Sequence, residues 1–235
     1  MKEKIKELNK LLVHYFGIPK RQKRLPNPTD TLIATILSQN TNDNNSYRAY
    51  QNLKKKYPTL NQLSSAKRSE IEKVIKVAGL GKQKSGAIKS LLKTISKNGE
   101  TLNRQYFKKK MDVEIIEELS SIKGIGVKTA SCVLLFSLDR NVCPVDTHVH
   151  RTLNRIGIVN TSSPDKTFEQ IKNKLPEGIA HQFHTNLIKL GRGICKPAKP
   201  LCSICPIFKQ CEYEFKNLES VIPAKRNGFL LLDSI

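Results

Sequence analysis

The chain has 235 residues, with 41 Lys and Arg against 20 Asp and Glu, a formal charge of +21 and a pI near 9.8. At this length about 70% of the unfolded surface can be buried, so no disulfide framework is needed for stability. No apolar run approaches the roughly 20 residues that span a bilayer, and the charge excess points to a polyanionic partner, nucleic acid first.

The basic residues are spread along the chain rather than gathered in a tail, which favours a folded basic face over a disordered arm. The opening stretch MKEKIKELNKLLVHYFGIPK has Ile5, Leu8, Leu12 and Tyr15 at helical spacing with lysines between them. It lacks the continuous apolar segment of a secretory signal, so a cytoplasmic, nucleoid-associated location is expected. Leu32, Ile33, Ile36 and Leu37 form the next stripe, with Thr29 or Asp30 as its cap. Ile71, Val74, Ile75 and Ala78 follow, closed by Gly79. Ile88, Leu91, Leu92 and Ile95 come next, closed near Gly99. Val113, Ile116 and Leu119 lead into IKGIGVKTA (Ile122–Ala130), and Val133, Leu134 and Phe136 continue beyond it. Leu138 to Val145 reads as a crossover between two helical bundles.

After the crossover, Val149, Leu153 and Ile156 make one stripe. Ser163-Pro164-Asp165 opens another helix with a cap, a first-turn proline and an acid for the dipole. It carries Phe168, Ile171 and Leu175. Phe183, Leu187 and Leu190 form the last stripe, stopped by Gly191. No sustained alternation marks a strand, and the fold class is all-α.

Three features carry chemistry. Gly124-Ile125-Gly126 breaks a helical pattern at a cost of roughly 1 kcal/mol per glycine. A helix–turn–helix of this kind grips a phosphate through the backbone N–H groups of the second helix. Lys128 then falls in the first turn of that helix, where the dipole works against its charged form and for a neutral, nucleophilic amine. Asp146, just after Pro144, suits the N-cap of the following helix. Cys195, Cys202, Cys205 and Cys211 have the spacing C-x6-C-x2-C-x5-C within 17 residues. Four thiolates so close can hold zinc or a [4Fe–4S] cube. Lys196 and Lys199 in the same loop can face phosphates. Cys132 and Cys143 stand apart and read as small core residues.

Taken in order, LSQNTND (Leu37–Asp43), GLGKQKSGAI (Gly79–Ile88), IKGIGVKTA, VDTHVHR (Val145–Arg151) and the cysteine loop resemble the endonuclease III family of helix-hairpin-helix DNA glycosylases. The resemblance covers roughly residues 1 to 215. It implies a six-helix barrel domain over 27–139, a cluster domain from 1–26 and 140–215, a DNA-binding cleft between them and a tail over 216–235. It implies a [4Fe–4S] cluster on the four cysteines. It further implies a monomeric bifunctional glycosylase and AP lyase of base excision repair, acting on oxidised pyrimidines and abasic sites in double-stranded DNA. Lys128 would form a Schiff base with the sugar, assisted by Asp146 across the cleft. DNA-facing positions would be Gln39, Asn40, Leu80, Gly81, Gly124, Gly126 and His148, with Asn40 and Leu80 filling the space of the flipped base.

The sequence departs from its relatives at Lys123, where proline is common, and at Ser120, where an acid is common. Asn40 stands for the usual Gln and Gly81 for a larger residue. These departures bear on lesion range rather than on reaction type. A monofunctional mismatch glycosylase is the alternative within the superfamily, but such relatives usually carry Tyr or Ser where Lys128 stands. A non-catalytic DNA-binding module would have no need of an amine at that helix start.

Overall fold

Asn27 and Pro28 set the start of the helix around which half of the chain packs. The Asn27 side chain accepts from Thr29 N at 2.9 Å, and Pro28 occupies the first turn, where its missing N–H costs nothing. The cap is therefore Asn27, two residues before Thr29 and three before Asp30, because the proline takes the first helical position. The structure is a computed structural model that describes residues 1–98, 102–219, 231–233 and 235. Gly99 lies outside the described residues. Among the described residues there are twelve α-helices and several short turns, and no strand. No helix among the described residues is long and apolar enough to cross a membrane.

The chain divides into two compact units. One holds residues 1–21 and those described from 140 to 219. The other holds the described residues of 22–139 and the described end of the chain. Residues 22–26 thus go with the barrel segment. The end of the chain is not all tail, since Leu231 is buried and its turn packs on the second unit.

In the unit of residues 22–139, α2 (Pro28–Ser38) is the centre. Leu32, Ile33, Ala34, Ile36 and Leu37 are all buried, leaving no polar face. Around it lie α3 (Asp43–Lys56), α4 (Leu60–Ser65), α5 (Arg68–Val74), α6 (Gly81–Asn98), α7 (Arg104–Phe107), α8 (Asp112–Ser120) and α9 (Val127–Cys132). The polar atoms that α2 carries inward find partners: Thr29 Oγ1 donates to Leu102 O, and Thr31 shares a 2.7 Å bond with Ser137. Helix α9 runs on into a wide π turn over Val133–Ser137, all of it buried.

The other unit is built on α1 (Lys2–Phe16), α10 (Thr147–Ile156), α11 (Pro164–Ile171) and α12 (Ala180–Gly193), with α12 packed on both α1 and α10. Ile5, Leu8 and Leu12 of α1 and Phe183, Leu187 and Leu190 of α12 are all buried, while Tyr15 is exposed. Gly191 does not end α12. A Cβ there would sit 2.8 Å from His148 Cβ, so the glycine marks close approach of α10, and the helix continues to Gly193.

On α8 the buried residues are Ile115 and Leu119, while Val113 is exposed and Ile116 half-buried. A spacing of three repeated twice drifts by about 120° at 100° per residue, whereas a spacing of four stays on one face. Between α8 and α9 the hairpin turns on Gly124, whose φ of +91° is open to glycine. A Cβ at Gly124 would lie 2.5 Å from Ala87 Cβ and 3.3 Å from Ala87 Cα on α6. Gly124→Ala should therefore destabilise this unit by about 2 kcal/mol or more through left-handed strain plus overpacking. A lowered urea midpoint at unchanged slope is the expected reading.

Candidate functional site

The hairpin places Lys128. Ile125 N donates to Ile122 O at 3.0 Å and closes the turn, with both isoleucines buried beneath it. Gly126 precedes α9 in extended conformation and brings no side-chain cap, so the first backbone N–H groups of the helix are left to other acceptors. Lys128 is the second residue of α9 and is half-buried, next to the fully packed Thr129 and Ala130. Lys123 is exposed on the turn. The Ser120 hydroxyl is buried with no hydrogen-bond partner among the described residues.

Two further loops stand beside the hairpin in the same unit. Gln39 follows α2, and its Nε2 donates to Gly124 O at 3.4 Å. Asn40 is exposed with φ 49°, and Leu80 is 47% exposed with φ 48°. Asn tolerates the left-handed region, but for leucine it costs roughly 1–2 kcal/mol. Both residues expected to fill the space of the flipped base thus have left-handed backbones, as Asp139 and Lys199 also do. Gly81 opens α6, and a Cβ there would sit 3.1 Å from Glu72 Cγ, which would have to give by a few tenths of an ångström.

The sequence reading missed Lys84. It is 1% exposed and donates from Nζ to Leu37 O and Ala78 O, both at 2.8 Å. Burial pushes its pKa down to about 8. The signal was present: Lys84, Ile88 and Leu91 share one helical face, and a lysine in an apolar stripe needs internal acceptors.

In the other unit Asp146 caps α10. Its Oδ1 accepts from His148 N and Val149 N, each at 2.8 Å, so the cap does not consume Oδ2. His148 is half-buried against Gly191. Its pKa is lowered first by burial and then by Arg151 and Arg192, with Asp146 opposing. Arg151 Nη2 lies 3.2 Å from His148 Nδ1. A guanidinium only donates, so Nδ1 accepts and the neutral ring carries its proton on Nε2.

The same helix grips the cysteine loop. Arg151 donates to Gly191 O and Cys195 O, and Arg155, one turn on, donates to Lys196 O at 2.7 Å and Pro197 O at 2.9 Å. Arg155 also lies 3.6 Å from Cys195 Sγ and stacks over Tyr213 at 4.2 Å. These arginines were not singled out from sequence, although their i, i+4 spacing below Asp146 places them on one face. Lys199 is exposed, whereas Lys196 is half-buried beside Arg155.

The four thiols lie close enough to influence one another. Cys205 is pushed up to about 12, first by burial and then by Cys195, Cys211 and Cys202, against the Ile207 N–H. Cys211 is raised by burial, with the Tyr213 N–H and Lys216 opposing. Such a set needs a bound cation to stay as thiolates. Among the described residues no three His, Cys, Asp or Glu converge to hold a single ion. Four thiols in one loop are a donor set that zinc or an iron–sulfur cluster takes. Cys132 and Cys143 are both fully buried, as small core residues are.

A family described as HhH-GPD superfamily base excision DNA repair protein matches residues 33–177. The endonuclease III of Thermotoga maritima is 35% identical over 210 residues, covering 89% of this chain and 92% of that protein. The endonuclease III of Sulfolobus acidocaldarius is 34% identical over 194 residues, covering 81% and 84%. Among solved structures, a non-covalent endonuclease III–DNA complex matches with a TM-score of 0.74 at 26% identity, covering 90% of this chain and 95% of that one. With its glycine hairpin, its buried α2 and its four-cysteine loop, the chain belongs to the endonuclease III family of the HhH-GPD superfamily of base excision DNA repair proteins.

Proposed function

We propose that the protein is a bifunctional DNA glycosylase and AP lyase that removes oxidised pyrimidines from double-stranded DNA and nicks at abasic sites. The observation that carries this reading is Lys128, an amine launched by the glycine hairpin in the first turn of α9. A monofunctional enzyme or a docking module has no use for it. In this reading the N–H groups at the start of α9 take a backbone phosphate, and Asn40 and Leu80 occupy the space left as the base leaves the stack. The Lys128 amine attacks C1′ as the bond from C1′ to the base breaks, and the departing base takes a proton. The C1′–O4′ bond then opens and O4′ takes a proton, and the imine so formed loses a 2′ proton as the 3′ phosphate leaves. Asp146, with Oδ2 outside its cap, accepts the lysine proton and stabilises positive charge on the sugar.

Cys195, Cys202, Cys205 and Cys211 would hold a [4Fe–4S] cluster, which fixes the loop that presents Lys199 to phosphates. No chemical step runs through it. The reading takes one chain as the working unit, in the cytoplasm on the nucleoid.

Borohydride should trap wild-type protein on duplex containing an oxidised pyrimidine, and Lys128→Ala should abolish the trapped band. Base removal by wild type without any trapping would overturn the bifunctional reading. Asp146→Asn preserves the cap and should keep the melting temperature while losing trapping. Asp146→Ala should lose trapping and about 1 kcal/mol of stability besides. Purified protein should be brown, absorbing at about 400 nm with roughly four irons per chain, as a cluster rather than zinc requires.

A further inference from the structure

Lys84 is the largest fully buried side chain of the described residues, and the reaction above makes no use of it. Its two acceptors lie at the ends of two helical segments. Leu37 is the penultimate residue of α2, and Ala78 closes the turn Lys76–Ala78. Carbonyls at such ends have no donor within their own helix, and the negative end of the dipole favours a cation. Asn40 comes three residues after the first acceptor, and Leu80 two residues after the second. Both have left-handed backbones, at φ 49° and 48°.

Helix α6, which carries Lys84, begins directly after Leu80. It also supplies Ala87, on which Gly124 is seated. Gln39 completes the circuit by donating to Gly124 O. The connection therefore runs from one loop through Lys84 to the other, along α6 to the hairpin, and back through Gln39. An apolar residue at position 84 would leave two buried carbonyls without donors. An ammonium has three N–H groups and reaches both.

We propose that Lys84 is a positioning residue that locks the Gln39–Asn40 and Leu80–Gly81 loops to each other, so that both enter a duplex as one preformed wedge. The proposal rests on the reading that these loops fill the space of the extruded base. Lys84 touches neither the sugar nor the base and acts only through the two loops.

The test uses Lys84→Met, with Lys84→Gln in its place if the methionine variant does not fold, together with Leu80→Gly and the double variant. Duplex carrying an oxidised pyrimidine reports base removal, and single-stranded abasic DNA, which has no base to extrude, reports strand cleavage. Lys84→Met should lose roughly 10-fold or more on the duplex and stay within about 3-fold on the single strand. The double variant should lose no more than the worse single variant, because both act on the same step. Equal losses on both substrates, or losses that multiply, would overturn the proposal.

Hydrogen exchange supplies a readout independent of catalysis. Amides of 38–41 and 79–82 should exchange faster together in Lys84→Met, while those of α12 stay unchanged. Acceleration in one loop only, or in neither, would overturn the tie. If wild-type protein removes no base from any duplex, the functional reading fails, while the exchange result still decides the tie.

Discussion

The cations of this chain outnumber its carboxylates about two to one, and the structure depends on pairing many of them with backbone carbonyls instead. Lys84 joins Leu37 O to Ala78 O, and Lys89 joins Ser64 O to Ala66 O. Arg104 reaches the carbonyls of Leu25 and Ser137, and Arg151 and Arg155 hold those of residues 191 and 195–197. Each of these acceptors sits at a helix end or in a turn, where the chain has no donor of its own. A charged donor makes a stronger bond to such a carbonyl than a neutral one. The interior cations thus stiffen the turns, and the remaining surface cations supply the field that draws DNA.

This arrangement explains how strained loops can stand exposed. Leu80 in the left-handed region would relax if its neighbours were free to move. It follows Gly79 directly and opens onto α6, whose start is held by Arg68 bonds to Lys82 O and Ser85 Oγ. The strain is therefore held by buried contacts a few residues away. In the other unit α10 plays a comparable part. Its first turn depends on Asp146, and its next two turns send Arg151 and Arg155 to the cysteine loop.

Much of the site was legible in the sequence because its residues are local to a motif. The hairpin glycines, Lys128 two residues beyond, and Asp146 before an apolar stripe each announce their geometry through neighbours in the chain. Asn27 was overlooked as a cap because Thr29 and Asp30 are equally good cap types, and only the placement of Pro28 decides among them. Gly191 was read as a stop because glycine weakens helices. Its reason is the backbone of α10, which no local pattern reveals. Lys84 and the two arginines were missed because a basic residue among so many carries no signal until its acceptors are known.

The sequence by itself determined the all-α class, the order of the helices, the hairpin with Lys128 and the spacing of the four thiols. These follow from periodicity, glycine freedom and cap chemistry, which act over a few residues. Only the tertiary structure decided which cations turn inward, that Asn40 and Leu80 share one buried anchor, and that Asp146 and the cysteine loop are held by the same helix. Those are choices among acceptors distant in sequence, and they are made by the cost of leaving a buried carbonyl without a donor.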